Sequence, residues 1–441
     1  MIEKYLVKKI TEPVDWKVTV PGSKSMTNRA LLLAALSAGT VRVEGVLFSD
    51  DSRHFLACLV ALGFTVEIEE EKKCVTVTGC GGRIPSREAV IDVGSAGTAA
   101  RFLAAMLGFS DGCYEIRCSA QMKRRPMAEL FDLLSGAGAK ITFLEEEGHL
   151  PVRITGCRYA RADKTAGETP RRLSLDITKS TQFLSALLLI APMVPEGMKI
   201  HITSEKTDGS YIRITRKMMQ EFGVSVAFDG RDYEVPCRSS YRKETYMVEP
   251  DMSAACYFYA AAAVTGGRAL VRHVHMDNTQ GDLRFLEVLE RMGCKADDTP
   301  EGVRVTGPAD GALRGITVNM NDFSDQALTL AAIAPFADAP VRIEGIGHIR
   351  GQECDRIHAI QTNLTALGIR CEEEETAVTI YPGSPHGGNV ETYDDHRVAM
   401  AFSLIGLRTD GIVIENPACC RKTFEDYFTV LSELTGKKTE A

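Results

Sequence analysis

One pattern recurs along this chain and restricts what it can become: a short polar turn running into a helix that is apolar on every side. It occurs as SKSMTNRALLLAALSAG, SAGTAARFLAAMLG, KSTQFLSALLLIAPM, DMSAACYFYAAAAVTGG, SDQALTLAAIAPF and DDHRVAMAFSLIGL. A helix without a polar face cannot lie on a surface, so each copy predicts a helix enclosed within a domain. A second unit alternates with the first, an amphipathic helix stopped by glycine at Gly63, Gly138, Gly223, Gly293, Gly368 and Gly436. Glycine suits a helix C-terminus because left-handed backbone is cheap only without a Cβ. Segments such as FTVEIEE, VSVAF and AVTIY follow most of these stops and alternate as strands do.

The period is about 70 to 85 residues, so six copies fit the chain. The sixth is short, with only KKTEA after Gly436, while YLVKKI and WKVTVPG near the N-terminus read as strands with no repeat of their own. The economical expectation is that this N-terminal segment completes the sixth repeat. Two three-repeat domains follow, one of residues 22–249 and one of residues 1–21 plus 250–441, with crossings near Pro21–Gly22 and Glu249–Asp251. A chain of 441 residues is in any case too long for one ordinary core.

Composition removes several function classes. A 44% hydrophobic and 25% charged chain reads as soluble and globular. A net charge of −8 argues against a broad nucleic-acid surface. The longest apolar stretch, FLSALLLIAPMV, falls short of the roughly 20 residues that span a bilayer. MIEKYLVKKITEPVDW lacks the apolar run and cleavage site of a secretory signal, so the expected compartment is the cytoplasm. The thirteen cysteines are scattered, without a C-x-x-C pair, and read as reduced core thiols and not as a metal site.

The polar turns carry Lys24 and Ser25, Ser95 and Thr98, Ser180 and Thr181, Asp251 and Ser253, Asp325, and Asp395 to Arg397. Capping accounts for Ser, Thr and Asp at such positions. It does not account for Lys24 or Arg397, since a cation opposes the helix dipole there. The sign is favourable if an anion binds, because free N–H groups, dipole and cation then act together. Arg101, Arg124, Arg125, Arg350, Arg356 and Lys422 flank other copies, and this recurrence in an acidic chain points to a small polyanionic ligand. Two carboxylates stand apart. Glu353 precedes Arg356 by three residues, which makes them one helix face if ECDRIHAI is helical, and an ordinary surface ion pair is the plainer account. Asp325 opens a buried helix, where an acid facing a pocket can act as a base.

PGSKSMTNRALLLAAL, GSAGTAARF, RRPM, KSTQFLSALLL, DMSAACYF, QGDLRFLEVLERMG, YDDHRVAMAFSL and KTFEDYF resemble, in order and over nearly the whole chain, the signature segments of the 5-enolpyruvylshikimate-3-phosphate synthase family. The resemblance implies an α/β fold of two similar domains, each of three βαβαββ repeats, as in the inside-out α/β barrel of enolpyruvyl transferases, with a substrate cleft between them. It implies transfer of the enolpyruvyl group of phosphoenolpyruvate to the 5-hydroxyl of shikimate 3-phosphate, through a tetrahedral intermediate that loses phosphate. It further implies a cytoplasmic monomer of the shikimate pathway to aromatic amino acids. It implies as well that no metal or organic cofactor, nucleic acid or membrane is involved, and that the family is the target of glyphosate.

Carried over by position, Lys24 bridges both substrates and helps phosphate leave. Arg125 and Lys422 bind the phosphate of phosphoenolpyruvate, with Gly97 permitting close backbone approach, and Arg356 and Arg397 hold its carboxylate. Ser25 and Arg29 grip the shikimate carboxylate and ring, Ser180 and Thr181 the shikimate phosphate, and Gln182 and Tyr211 line the ring. Glu353 exchanges the C3 proton and Asp325 accepts from the 5-hydroxyl. Four positions depart from the family pattern: Gln352 for Lys, His348 for Asn, Asp208 for Ser, and Phe102 for Pro. Gln352 keeps a substrate-side place but offers only neutral hydrogen bonds, and Thr207 or Ser210 is expected to serve where Asp208 would repel a phosphate. Two alternatives stay open: the sister transferase acting on UDP-N-acetylglucosamine, and a non-catalytic anion-binding relative.

Overall fold

A computed structural model describes residues 3–157, 170–309 and 312–436 of the chain. They form two compact units, Gly22–Glu249 on one hand and Met1–Pro21 with Pro250–Ala441 on the other. Each unit has its own apolar core.

Within Gly22–Glu249 the polar-entry segments become the helices Lys24–Leu36, Gly97–Gly108 and Thr181–Ile190, which touch one another. In the other unit the corresponding helices Met252–Thr265, Ala327–Ile333 and His396–Arg408 do the same. Every residue of Gly97–Gly108 is buried, which its run of Ala, Leu and Gly allows by letting neighbours approach closely. The strands around these helices alternate buried and exposed residues, as at Thr40–Glu44 and Val152–Thr155, so one sheet face packs inward and the other meets solvent.

One repeat serves as the pattern. Glu88–Asp92 pairs in parallel with Cys113–Arg117, with the buried helix Gly97–Gly108 as crossover. Val152–Thr155 then pairs antiparallel with Cys113–Arg117, and Lys140–Phe143 forms the edge. Among the described residues five sheets have four strands in this arrangement, and the sheet holding Gly388–Val390 and Ile412–Glu415 has three. The N-terminal segment divides its strands differently from the sequence expectation. Lys4–Leu6 does complete the sixth sheet, antiparallel to Ile412–Glu415. Asp15–Val18 instead enters the fourth sheet, parallel to Arg268–Arg272. The reason is the parallel pair that opens each repeat. Thr245–Met247, the strand preceding the fourth buried helix, pairs in parallel with Thr40–Glu44 of the first repeat, so the fourth takes its opening strand from Asp15–Val18. Residues 437–441, where the sixth repeat was expected to stop short, lie outside the described residues.

The glycine stops behave as paired terminal hydrogen bonds require. Gly63 has φ of +88°, its N–H donates to Val60 O, and the next N–H, of Phe64, reaches back to Leu59 O. Gly138, Gly223, Gly293 and Gly368 repeat both bonds with positive φ. Gly436 differs, being the last described residue of its helix, Tyr427–Gly436.

Candidate active site

The Gly22–Glu249 unit gathers one set of the expected residues. Lys24 is the first residue of its helix, and the preceding Ser23 makes no side-chain cap. Its ammonium lies 3.7 Å from a carboxylate oxygen of Asp51, which is 3% exposed. Sequence reading missed Asp51, because an acid in the first turn of Asp50–Ala61 reads as a dipole partner of its own helix. Ser25 Oγ lies 3.4 Å from Ser23 Oγ.

Arg29, which the resemblance pairs with Ser25 in gripping the shikimate carboxylate and ring, is enclosed by its neighbours. It is fully buried, with Nε donating to Thr215 Oγ1 at 2.8 Å and Nη1 to Ser25 O at 2.9 Å. Its guanidinium sits over the rings of Phe102 and Tyr211, at 5.2 and 5.8 Å from their centroids. Burial lowers its pKa to about 10, partly offset by Tyr211 and Tyr246. Phe102, noted only as a departure from the family pattern, thus supplies one face of the Arg29 pocket. Among the described residues no carboxylate lies within ion-pair distance of Arg29.

Gly97 lies against Arg125: a Cβ there would stand 2.4 Å from Arg125 Nη1 and 2.8 Å from Cζ. Arg101 donates to Gln182 Oε1 and covers the Phe183 ring at 5.3 Å. Ser180 caps Thr181–Ile190 by accepting from Gln182 N at 3.3 Å, so the capping account holds at that position. Ser95 and Ser253, by contrast, are not caps; Ala96 and Asp251 occupy those positions. Thr98 accepts from the buried Asn28 Nδ2 at 2.6 Å. Asp208 turns its carboxylate to Arg213 Nη1 at 3.0 Å and the Tyr233 hydroxyl at 3.2 Å, which engages its charge. Ser210 begins the helix Ser210–Glu221 and is buried, while Thr207 accepts from the Tyr233 hydroxyl through its carbonyl.

The other unit gathers the second set around Arg356, which is 1% exposed. Its Nε donates to Asp395 Oδ2 at 2.7 Å, Nη1 to Asp325 Oδ1 at 3.0 Å, and Nη2 to Glu353 Oε2 at 3.0 Å. Nη1 also donates to Gln352 Oε1, so this amide faces the network. Burial alone would lower the Arg356 pKa; the carboxylates of Asp395, Glu353 and Asp325 together outweigh it and hold the charge firmly. The plainer account of Glu353 and Arg356 fails on two grounds. The helix starts at Arg356, so Glu353 precedes it, and the pair is enclosed instead of lying on a helix surface.

Arg397 Nη2 donates to Asp325 Oδ2 at 2.9 Å and to Ser253 Oγ at 3.3 Å. Lys422 Nζ lies 3.3 Å from Glu353 Oε1. Asp325 is in the 3-10 turn Ser324–Gln326, just before the buried helix and not inside it. His348 Nε2 lies 2.8 Å from Ser324 Oγ, which connects the exposed His348 to that turn. Asp395, wholly buried, caps His396–Arg408 through the Arg397 N–H while holding Arg356, a second role that its capping position concealed. Tyr393 and Asp394 precede it with φ of +53° and +56°, left-handed backbone that costs about 1–3 kcal/mol per residue. Asn416 Nδ2 ties Asp394 down at 3.1 Å.

Arg356, Arg397 and Lys422 therefore share one enclosed network with Asp325, Glu353 and Asp395, cations and carboxylates equal in number. Such a network can receive an anion, since an incoming carboxylate can replace Asp325 or Glu353 as partner to an arginine. The carboxylate thereby released becomes available for proton transfer.

The EPSP synthase (3-phosphoshikimate 1-carboxyvinyltransferase) family model matches residues 8–431. The 3-phosphoshikimate 1-carboxyvinyltransferase of Trichormus variabilis is 41% identical over 97% of this chain and 98% of its own length. The protein of that name from Yersinia pseudotuberculosis is 38% identical, with 96% of each chain covered. The solved EPSP synthase of Acinetobacter baumannii superposes with a TM-score of 0.78 at 25% identity, over 98% of this chain and 97% of that one. The enolpyruvyl transferase NikO of Streptomyces tendae shares the fold, with a TM-score of 0.72 at 17% identity over 98% and 97% of the two chains.

Proposed function

The chain belongs to the EPSP synthase family, and from that premise we propose how its own residues carry the family's reaction. The enzyme transfers the enolpyruvyl group of phosphoenolpyruvate to the 5-hydroxyl of shikimate 3-phosphate. The hydroxyl oxygen adds to C2 while C3 gains a proton; C2–O cleavage then releases phosphate and C3 loses a proton, giving the enolpyruvyl ether. The alternatives, a UDP-N-acetylglucosamine transferase and an inactive relative, are not favoured by kinship of this extent.

The observation that carries the residue assignment is that Arg356 engages both Asp325 and Glu353. In this reading Arg356 and Arg397 exchange Asp325 for the substrate carboxylate, a task suited to the planar guanidinium. Asp325, so released, accepts the 5-hydroxyl proton, and Glu353 exchanges the C3 proton. Lys422 and Arg125 take the phosphate, and Lys24 delivers a proton as it departs. Ser180, Thr181, Gln182 and Tyr211 receive shikimate 3-phosphate together with Ser25. Arg29, closed in by Phe102 and Tyr211, either turns toward the substrate carboxylate or acts through the Ser25 carbonyl it holds. Gln352 assists by orienting Arg356, a role that needs no charge.

The direct test is inorganic phosphate release from phosphoenolpyruvate with shikimate 3-phosphate or UDP-N-acetylglucosamine as acceptor. Release only with the shikimate ester is expected; release only with the nucleotide sugar would overturn the reading. Gly97→Ala provides a second test, because the added methyl overlaps the Arg125 guanidinium. The obstructing atoms end a flexible side chain, so stability should change little while the phosphate contact is lost. Losing one charge-assisted hydrogen bond raises KM for phosphoenolpyruvate roughly ten- to a hundredfold. An unchanged KM would remove Arg125 from phosphate binding.

A further inference from the structure

Asp282, in the 3-10 turn Gly281–Arg284, lies within a fully enclosed part of the second unit, and no step above uses it. Its Oδ2 accepts two hydrogen bonds, one from the Ser253 hydroxyl and one from Gln326 Nε2 at 2.8 Å. Both donors have little choice of partner. Gln326 Oε1 is occupied by the Thr329 hydroxyl at 2.9 Å, which turns its amide nitrogen toward Asp282. Ser253 commits its single proton to Asp282 and thereby presents a lone pair to Arg397 Nη2 at 3.3 Å. The same Nη2 donates to Asp325. A continuous chain thus runs from Asp282 through Ser253 and Arg397 to Asp325.

We propose that Asp282 is a positioning residue for this reaction, orienting Arg397 through the Ser253 hydroxyl and strengthening Asp325 as a base by the proximity of its negative charge. The proposal rests on the assignment of Arg397 and Asp325 made above.

The charges around Asp282 support it. Burial and the charge of Asp325 raise its pKa to about 6, against the opposing influence of Arg397, Ser253 and Gln326. That repulsion is mutual, so an ionised Asp282 favours proton uptake at Asp325. From the adjoining helix, the Cys256 thiol donates to the Asp282 carbonyl at 3.7 Å and is held protonated by burial and by Asp282 and Asp251. Arg284, in the same turn, is directed to Glu287 and Asp322 at 4.0 and 3.6 Å. Among the described residues no cation forms a direct ion pair with Asp282. Its carboxylate is therefore buried without the direct ion-pair partner that buried carboxylates ordinarily have, consistent with the upward direction of its pKa.

Three measurements on Asp282→Asn, Ser253→Ala and the double variant test this. As pH falls through about 6, kcat/KM of the parent enzyme should decline as Asp282 takes up a proton, and Asp282→Asn should lack that inflection. Each single variant should raise KM for phosphoenolpyruvate roughly tenfold, the loss of one charge-assisted contact. The double variant should be no worse than either, because both residues act along one chain.

Thermal melting supplies a readout independent of turnover. The raised value in the fold means that stability from this group is present below its unfolded pKa and is lost as pH rises toward about 6. The melting temperature of Asp282→Asn relative to the parent should therefore climb over that interval, whereas an Asp282 whose pKa folding left unshifted would give the same difference at every pH. An unchanged acid limb with additive KM effects would overturn the proposal, as would a melting difference that does not vary with pH. A parent enzyme that releases no phosphate with shikimate 3-phosphate would overturn the functional reading instead, and the melting comparison would still decide the electrostatic part.

Discussion

Glu353→Gln should lower turnover by roughly 10²- to 10⁴-fold, the range a positioned acid–base group contributes. It should leave KM for phosphoenolpyruvate equal or slightly reduced. The amide is nearly isosteric and retains one oxygen for Arg356 Nη2, which the carboxylate holds at 3.0 Å. Arg356 keeps Asp395 and Asp325, so the network need not rearrange. Lys422, released from a carboxylate 3.3 Å away, becomes a better phosphate ligand. Turnover and binding therefore separate, as they do when an interaction is made only in the transition state. Steady-state phosphate release and calorimetric titration with phosphoenolpyruvate measure the two. Near-normal turnover would take the C3 proton away from Glu353.

Arg356→Met should cost about 3–5 kcal/mol of stability, the usual consequence of removing one partner from a buried ionic cluster. The side chain is 1% exposed and engages three carboxylates, of which Asp395 is wholly buried and caps His396–Arg408. Without the guanidinium, Asp395 loses, among the described residues, its only side-chain ion pair to an arginine, and Arg397 and Lys422 are left to hold Asp325 and Glu353. Arg356→Lys separates charge from geometry. It should recover part of the stability but little activity, because an ammonium cannot present the planar donors that reach Asp395, Asp325 and Glu353 at once. Urea unfolding of both variants gives the comparison. A midpoint for Arg356→Met equal to that of the parent would show that the cluster does not depend on its cation.

These expectations draw on features of differing legibility. The buried helices were readable because a segment such as DMSAACYFYAAAAVTGG leaves no polar face for solvent. The glycine stops were readable because φ near +90° at Gly63 or Gly223 is a local property of one residue. Lys24 and Arg397 drew attention through a local conflict with the helix dipole. What stayed hidden was pairing over long separations. Asp51 meets Lys24 from the following helix, and Asp395 meets Arg356 from 39 residues away while looking like a simple cap. The partners of Arg29 were hidden in the same way, because its place in the helix says nothing of Thr215, 186 residues on, to which it donates.

By itself, then, the sequence determined the repeating α/β architecture, the positions of the buried helices and stops, and the family to which the chain belongs. Each depends on periodicity or on residue order, which short-range sterics and solvent exclusion translate directly into structure. Tertiary structure alone decided which sheet receives each N-terminal strand, that Glu353 precedes its helix instead of riding on it, and that Asp282 stands behind Arg397. Those outcomes depend on which groups from distant repeats meet in a space without water, where an unpaired charge or donor is expensive and every partner must be found.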